Sequence, residues 1–361
     1  MNKLGISADG KNGKQYIFIV AALVIIIAGI NLAQSVVVLF LVSIFLALLG
    51  TPSVLWLKEK HIPSGISVLL VMSVMIIIIL LIGAQIGTSV SSFSDELPVL
   101  QTKIREQIHE LRLVLKGRGI TVTEKFFLEY INPEAVMKLT AGLLTGLSSL
   151  LSDLLLILLT VTFILLEVSS FPVKVRAILG DPTQAFPLFT KFVVDMKRYM
   201  VIKTSINLVT GVLIAIWMYI LGVQFPILWG FLAFIFHYIP NIGSVICAVP
   251  PAIFALVELG LGSSLLVIAG NIFVGFIVGN VIEPRLMGRK LGLSTLVVFL
   301  SLIFWGSLLG IVGAILCIPL TMTMKFAFEN NENTKWISVL LGSEKFNDTP
   351  LPIKRRSKHN D

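Results

Sequence analysis

An all-α polytopic membrane protein is the fold class this sequence predicts, on three observations. Apolar runs of bilayer-spanning length recur along the 361 residues, where about 20 such residues cross a hydrocarbon core ~30 Å thick. Charged residues make up 13% of the chain against 56% hydrophobic, about half the charged share of a soluble domain. The basic residues flank the apolar runs, as membrane orientation signals do. That distribution, rather than the net charge of +8 itself, argues against a nucleic-acid partner. Cys247 and Cys317 both lie in apolar segments and form neither a disulfide framework nor a metal site.

Six full spans are expected. The first covers residues 16–32, after Lys3, Lys11 and Lys14. No small-residue cleavage site follows it, so it reads as an uncleaved span. The second covers 36–57 and closes on Lys58, Glu59, Lys60 and His61; the third covers 66–87. With the N-terminus inside, Lys58 and Lys60 fall in the cytoplasm, as the positive-inside rule asks.

Residues 93–115 differ in kind. Phe93, Leu97, Leu100, Ile104, Ile108, Leu111 and Leu115 make an apolar stripe of near-heptad period, with charges on the other faces. Gly117 and Gly119 end it, Thr121 and Glu124 have capping-box spacing, and Asn132-Pro133-Glu134 restarts a helix. Seven basic and seven acidic side chains balance between Asp95 and Lys138, so the segment carries no orientation signal. Two readings stand: an extracytoplasmic helical hairpin that docks on a neighbouring subunit, or one lying on its own spans or in the lipid interface.

The fourth span covers 143–166, with Asp153 the charge well inside it. An intramembrane carboxyl is a functional candidate, although this one lies near interfacial water. Residues 167–203 form the most basic connection, in which Lys174, Arg176, Lys191, Lys197, Arg198 and Lys203 face Glu167, Asp181 and Asp195. It reads as a solvated cytoplasmic face. Residues 186–199 read as an amphipathic lead-in to the fifth span, 206–221.

Two runs are too long for one crossing. Residues 226–257 would span about 48 Å as helix, but Pro240-Asn241-Ile242-Gly243 breaks the run and Pro250-Pro251 disturbs it again. Residues 293–324 are equally long, with Gly306, Gly310 and Gly313 inside. Single crossings would put Arg285, Arg289 and Lys290 outside, against the positive-inside rule. Re-entrant helical hairpins keep all three cytoplasmic, with the last full span, 264–282, running inward. Span plus hairpin then occurs twice in opposite orientation, an inverted repeat of the transporter kind. The expected divisions are 1–90 (three spans), 91–142 (amphipathic helices), 143–203 (fourth span and basic connection), 204–325 (transport domain) and 326–361 (basic cytoplasmic tail). The six spans and two hairpins amount to eight hydrophobic segments.

Three motifs carry a resemblance: His237-Tyr238-Ile239-Pro240-Asn241-Ile242-Gly243-Ser244-Val245, Glu283-Pro284-Arg285-Leu286-Met287-Gly288-Arg289, and residues 292–301, Gly-Leu-Ser-Thr-Leu-Val-Val-Phe-Leu-Ser. They are similar to those of the autoinducer-2 exporter (AI-2E) family, and nearest its exporter branch. The likeness runs from the first span to the tail; only the residues after Phe346 look private to this chain. The resemblance implies a bacterial inner-membrane protein, a homo-oligomer with a pentamer as the expected state, and export of the quorum-sensing signal autoinducer-2 driven by the proton gradient. Some relatives are described as sodium/proton antiporters or general permeases, so a cation/proton antiporter or small-solute permease or channel is the alternative.

A hydroxyl-rich solute needs hydrogen-bonding groups at mid-membrane depth. Pro240, Asn241 and Gly243 offer them at the first hairpin tip, Trp305 and Gly306 at a second tip within 301–307, and Asn271 and Asn280 along the last span. Each asparagine also reads as an interhelical hydrogen bond that only holds the bundle. Glu283 and Arg285 flank Pro284 and read as a gating ion pair, with Glu283 also a proton acceptor, or as an interfacial pair reaching water. Asp153 and His237 complete the candidates for proton coupling; a lone histidine on an apolar face also serves as packing. His61, His109, His237 and His359 have no metal-ligand spacing, and no nucleophile or phosphate-loop motif occurs. The reading is therefore a transporter without cofactor or metal rather than an enzyme, its partners a small polar solute and the bilayer.

Overall fold

The computed structural model describes residues 9–85, 87–89, 142, 153–179, 187–240, 242–287, 292–329 and 334–342. The expected 91–142 hairpin, most of the approach to the fourth span, Asn241, Arg289 and the tail beyond 342 lie outside them. No strand occurs among the described residues.

Helix α1 (Asp9–Leu32) turns at Ala33 into α2 (Gln34–Glu59). There the chain reverses through Lys60 and His61, the latter at φ 64°, with the Lys60 ammonium over the Trp56 ring at 5.4 Å. Helix α3 (Ser64–Ser89) follows, and α4 is Leu154–Leu179. α2 and α4 run in the same direction and, with α3 against them, pack around Ala47, Val54, Val68, Val161 and Leu165. A side chain at Gly50 would meet Leu165, and Ser43 Oγ donates to the Ile157 carbonyl at 3.4 Å.

Helix α5 (Pro187–Ile220) is 34 residues long, about 50 Å. The expected lead-in and fifth span are therefore one rod, because no Pro and no helix-ending turn separates them. Its partner α6 (Pro226–Phe236) has Pro at its first turn, where the missing N–H costs nothing, after Phe225 at φ 57°. The two cross where Gly211 meets Gly230: a Cβ on Gly230 would stand 2.6 Å from both the Gly211 oxygen and the Ala215 Cβ. Small residues at such a crossing let backbones touch.

Helix α7 (Gly243–Leu259) returns along α6. Phe225 meets Phe254 edge-on at 5.7 Å, and Gln224 Nε2 donates to Glu258 Oε1 at 2.8 Å. Pro250 and Pro251 lie inside α7 without ending it, contrary to the disturbance expected of them. Both are buried in the packed interior, where tertiary contacts outweigh the two missing N–H groups.

Helix α8 (Leu261–Ile277) runs through a π-helical turn (Val278–Ile282) into α9 (Glu283–Met287). Pro284 causes the turn: its ring has no N–H for the Asn280 carbonyl and would clash with it in an α-helix. One extra residue relieves this, and Glu283 N–H bonds back to the Val278 carbonyl, five residues earlier. α8 packs on α7 through Ser264 Oγ, which donates to the Ala252 carbonyl at 2.8 Å. It packs on α5 by laying Gly270 under the Trp217 indole, whose Nε1 donates to the Leu266 carbonyl at 3.1 Å.

Helix α10 (Thr295–Ile315) starts on Ser294, whose Oγ accepts from Val297 N–H at 3.2 Å. It breaks at Gly310, at φ 66° and ψ −147°, a combination open almost only to glycine. Beyond it the chain doubles back into α11 (Cys317–Glu329). Trp305 Nε1 donates to Thr321 Oγ1 at 3.1 Å and Lys325 Nζ to the Gly292 carbonyl at 2.6 Å, so these arms too run antiparallel. The reversal sits at Gly310 rather than within the expected 301–307, and past it Gly313 comes back against the Trp305 carbonyl, where any Cβ would clash. Helix α12 (Lys335–Leu340) closes the described chain.

Among the described residues, five helices are long and apolar enough to cross a membrane, at 34–59, 64–89, 189–220, 261–286 and 295–315, while Val20–Leu32 and Leu154–Val168 are shorter apolar stretches. Leu155, Phe163, Tyr219 and Phe273 are among the large apolar side chains left exposed, as lipid-facing surfaces require. Helical throughout the described residues, the protein is an integral membrane protein.

Candidate functional site

The α6–α7 turn is built to expose its polar groups. Pro240 has no N–H to give, and its carbonyl accepts from Ile242 N–H at 2.6 Å. Gly243 is required there because any Cβ would strike the Phe236 carbonyl. Three side chains of α5 hold this turn and α9. Thr204 Oγ1 and the Tyr238 hydroxyl share a hydrogen bond of 2.6 Å. Asn207, fully buried, has its amide oriented so that nitrogen donates to the Lys203 carbonyl at 3.3 Å and oxygen accepts from Tyr238 N–H at 3.1 Å. Lys203 Nζ donates to both carboxylate oxygens of Glu283, at 2.7 and 2.8 Å.

Between these elements lies a cavity of about 400 Å³. Its polar wall is Lys203, His237, Ser244, Asn280 and Glu283, and its apolar wall includes Ile239, Val245, Ile272, Phe276 and Ile318. The ion pair is well shielded: the Lys203 side chain is 6% exposed and that of Glu283 25%. Truncating one partner of such a pair leaves a buried charge. His237 uses Nδ1 to donate to the Ala233 carbonyl at 2.8 Å. Its Nε2 therefore holds the lone pair, and that atom is buried without a partner. The Tyr199 hydroxyl, one turn before Lys203 on α5, is likewise buried and unpartnered.

Of the residues expected from sequence, His237, Pro240, Asn280 and Glu283 come together here, with Gly243 shaping the turn behind them. Asn280 spends one amide hydrogen on the Phe276 carbonyl at 3.1 Å. The expected Glu283–Arg285 pair is not formed; Glu283 turns to Lys203, while Pro284 and Arg285 are exposed beyond the cavity. Two residues apart on a helix, 283 and 285 point to different faces. Asn271 is buried between α7 and α8, donating to the Val267 carbonyl at 2.9 Å, and lies outside the lining. So do Trp305 and Gly306, packed within the α10–α11 pair, and Asp153, exposed before α4. No cluster of metal-binding side chains occurs among the described residues.

Lys203 and Ser244 line the cavity, and Thr204, Asn207 and Tyr238 hold the turn beside it; the sequence singled out none of the five as a site residue. The signal was available for Lys203. It stands where the long apolar run of α5 begins, and a lone acid, Glu283, stands where that of α8 ends.

A polar cavity closed by a broken helical pair, inside an all-helical membrane protein, is the architecture of a solute transporter. The chain belongs to the AI-2E transporter family, whose model matches residues 17–333. It is 39% identical over 330 residues to the AI-2 transport protein TqsA of Escherichia coli K12, covering 91% of this chain and 96% of that one. It is 35% identical over 332 residues to YhhT of the same strain, named only provisionally as a transport protein, covering 92% and 95%. A Haemophilus influenzae relative, also provisionally named for transport, is 33% identical over 329 residues, 90% and 94% of the two chains. Family and relatives are thus transporters rather than enzymes.

Proposed function

We propose that this protein exports autoinducer-2, or a solute of similar size and hydroxyl content, across the bacterial inner membrane by alternating access, with residues 204–325 as the transport domain. The observation that carries the reading is the cavity at the meeting of two oppositely running units. α5 followed by α6 and α7 is one unit; α8 and α9 followed by α10 and α11 is the other. α5 and α8 are antiparallel, since Lys203 meets Glu283 and Trp217 meets Gly270. The ends of each broken pair are tied together, Gln224 to Glu258 and Gly292 to Lys325.

Helix α6 has 11 residues and α7 has 17, about 16 and 25 Å in a core ~30 Å thick. Those lengths and tied ends support re-entrant hairpins, entered from opposite faces of the membrane with both termini cytoplasmic. Broken backbone at membrane depth is tolerated where it lines a cavity, and paired broken segments mark transporter binding sites. Autoinducer-2 is small and rich in hydroxyls; His237, Ser244 and Asn280 supply partners for them and Lys203 an anchor for an electron-rich oxygen. A cation/proton antiporter is the second reading, favoured by the Glu283 carboxylate on the cavity wall; the Lys203 ammonium against it weighs the other way.

Uptake of autoinducer-2 into inside-out vesicles, with and without a proton gradient, tests this. Lys203→Gln and Glu283→Gln are expected to slow uptake at least tenfold, equivalent to about 1.4 kcal/mol. Equal rates in all three proteins would remove the site assignment. No uptake by the unaltered protein, with sodium flux in its place, would move the function to the second reading.

A further inference from the structure

The Lys203–Glu283 pair does more than line the cavity, because it joins the two units. Lys203 belongs to α5, and Glu283 begins α9 beyond the π-helical turn of α8. Both carboxylate oxygens of Glu283 are committed to one ammonium, so when the cavity is empty Glu283 occupies the place of an anionic ligand. We propose that the pair is a latch opened by an anionic solute: a solute oxyanion replaces the Glu283 carboxylate on Lys203 and so uncouples the two units. This rests on the transport reading above and adds to it a substrate class, a polyhydroxylated anion.

Two features select that class. A neutral polyol that displaced Glu283 would leave Lys203 as a buried cation without a counter-charge, and a cation would face its repulsion; only an anion keeps the charge balanced. Glu283 is the partner free to leave, being more exposed than Lys203 and next to exposed Pro284 and Arg285. The second feature is the unpartnered Nε2 of His237, a cavity-lining residue. With Nδ1 donating to Ala233, Nε2 accepts, and a solute hydroxyl is the donor it lacks. One oxyanion and one hydroxyl on the same small molecule satisfy both walls. A borate diester of a vicinal diol has this chemistry: a tetrahedral anion that keeps free hydroxyls.

The test compares binding of autoinducer-2 to the purified full-length protein with and without borate, by titration calorimetry, with borate alone as the blank. The unaltered protein is expected to bind the borate form at least tenfold more tightly. Glu283→Gln removes the competing carboxylate and increases affinity for that form further. The double variant Lys203→Gln/Glu283→Gln keeps an amide–amide hydrogen bond in place of the ion pair, and so keeps the fold while losing the preference for borate. A preference that persists in the double variant, or its absence from the unaltered protein, would overturn the latch and leave transport of the neutral form standing. Failure to bind either form would overturn the latch and the proposed substrate together.

Discussion

Replacing Gly230 by alanine puts a single methyl group where α5 and α6 touch. The new Cβ would stand 2.6 Å from the Gly211 carbonyl oxygen and 2.6 Å from the Ala215 Cβ, whereas ordinary contact begins at 3.4 Å. The helices must separate by about 0.8 Å at least, and neither neighbour is a flexible side-chain end that could move aside. Overpacking of this kind costs about 1–3 kcal/mol. Against it stands the helix-propensity gain of Gly→Ala, about 1 kcal/mol. Gly29→Ala is the matched control, since Gly29 lies in a helix with nothing within 4 Å of its would-be Cβ. Both variants share the propensity term, so their difference isolates the steric one. Unfolding in mixed micelles is expected to place Gly230→Ala about 1–3 kcal/mol below Gly29→Ala. Because the same crossing positions Tyr238 against Thr204 and Asn207, the variant should also bind solute more weakly. If Gly230→Ala proves as stable as the control, close backbone contact is not what sets the α5–α6 distance.

Asn207→Leu removes the hydrogen bond by which α5 holds Tyr238 N–H, leaving that N–H only its bond to the Ile235 carbonyl; a loss of about 1 kcal/mol is expected, and an unchanged unfolding midpoint would contradict it. Sidedness follows from the tied ends: in a background free of Cys247 and Cys317, an impermeant thiol reagent should reach Gln224→Cys and Glu258→Cys from one face and Lys325→Cys from the other. Labelling of all three from the same face would undo the proposed opposition of the hairpins.

The membrane architecture was legible because hydrocarbon length and charge placement are read directly from residue order. The break near Pro240 and Gly243 was equally plain, since proline and glycine act on their own neighbours. What escaped was decided by partners distant in sequence. In sequence Lys203 belongs with the basic cytoplasmic connection, and only the antiparallel course of α8 brings Glu283, 80 positions later, to its ammonium. Glycines 306, 310 and 313 were indistinguishable as a cluster; packing of Trp305 against Gly313 and Thr321 left Gly310 as the bend. Asn271 and Asn280 lie on one helix with one composition, yet the first faces α7 and the second the cavity. Pro250 and Pro251 carried a local warning that burial overrode.

The widened turn at 278–282 carries one residue more than an α spiral would hold. Each residue of an α-helix advances about 100° around its axis, so the surplus residue aims the side chain at 283 about a quarter of a circle away from where an unbroken α-helix would point it. The proline at 284 thus sets the direction in which the acid meets its base, through the residue it adds to the turn rather than through any contact of its own.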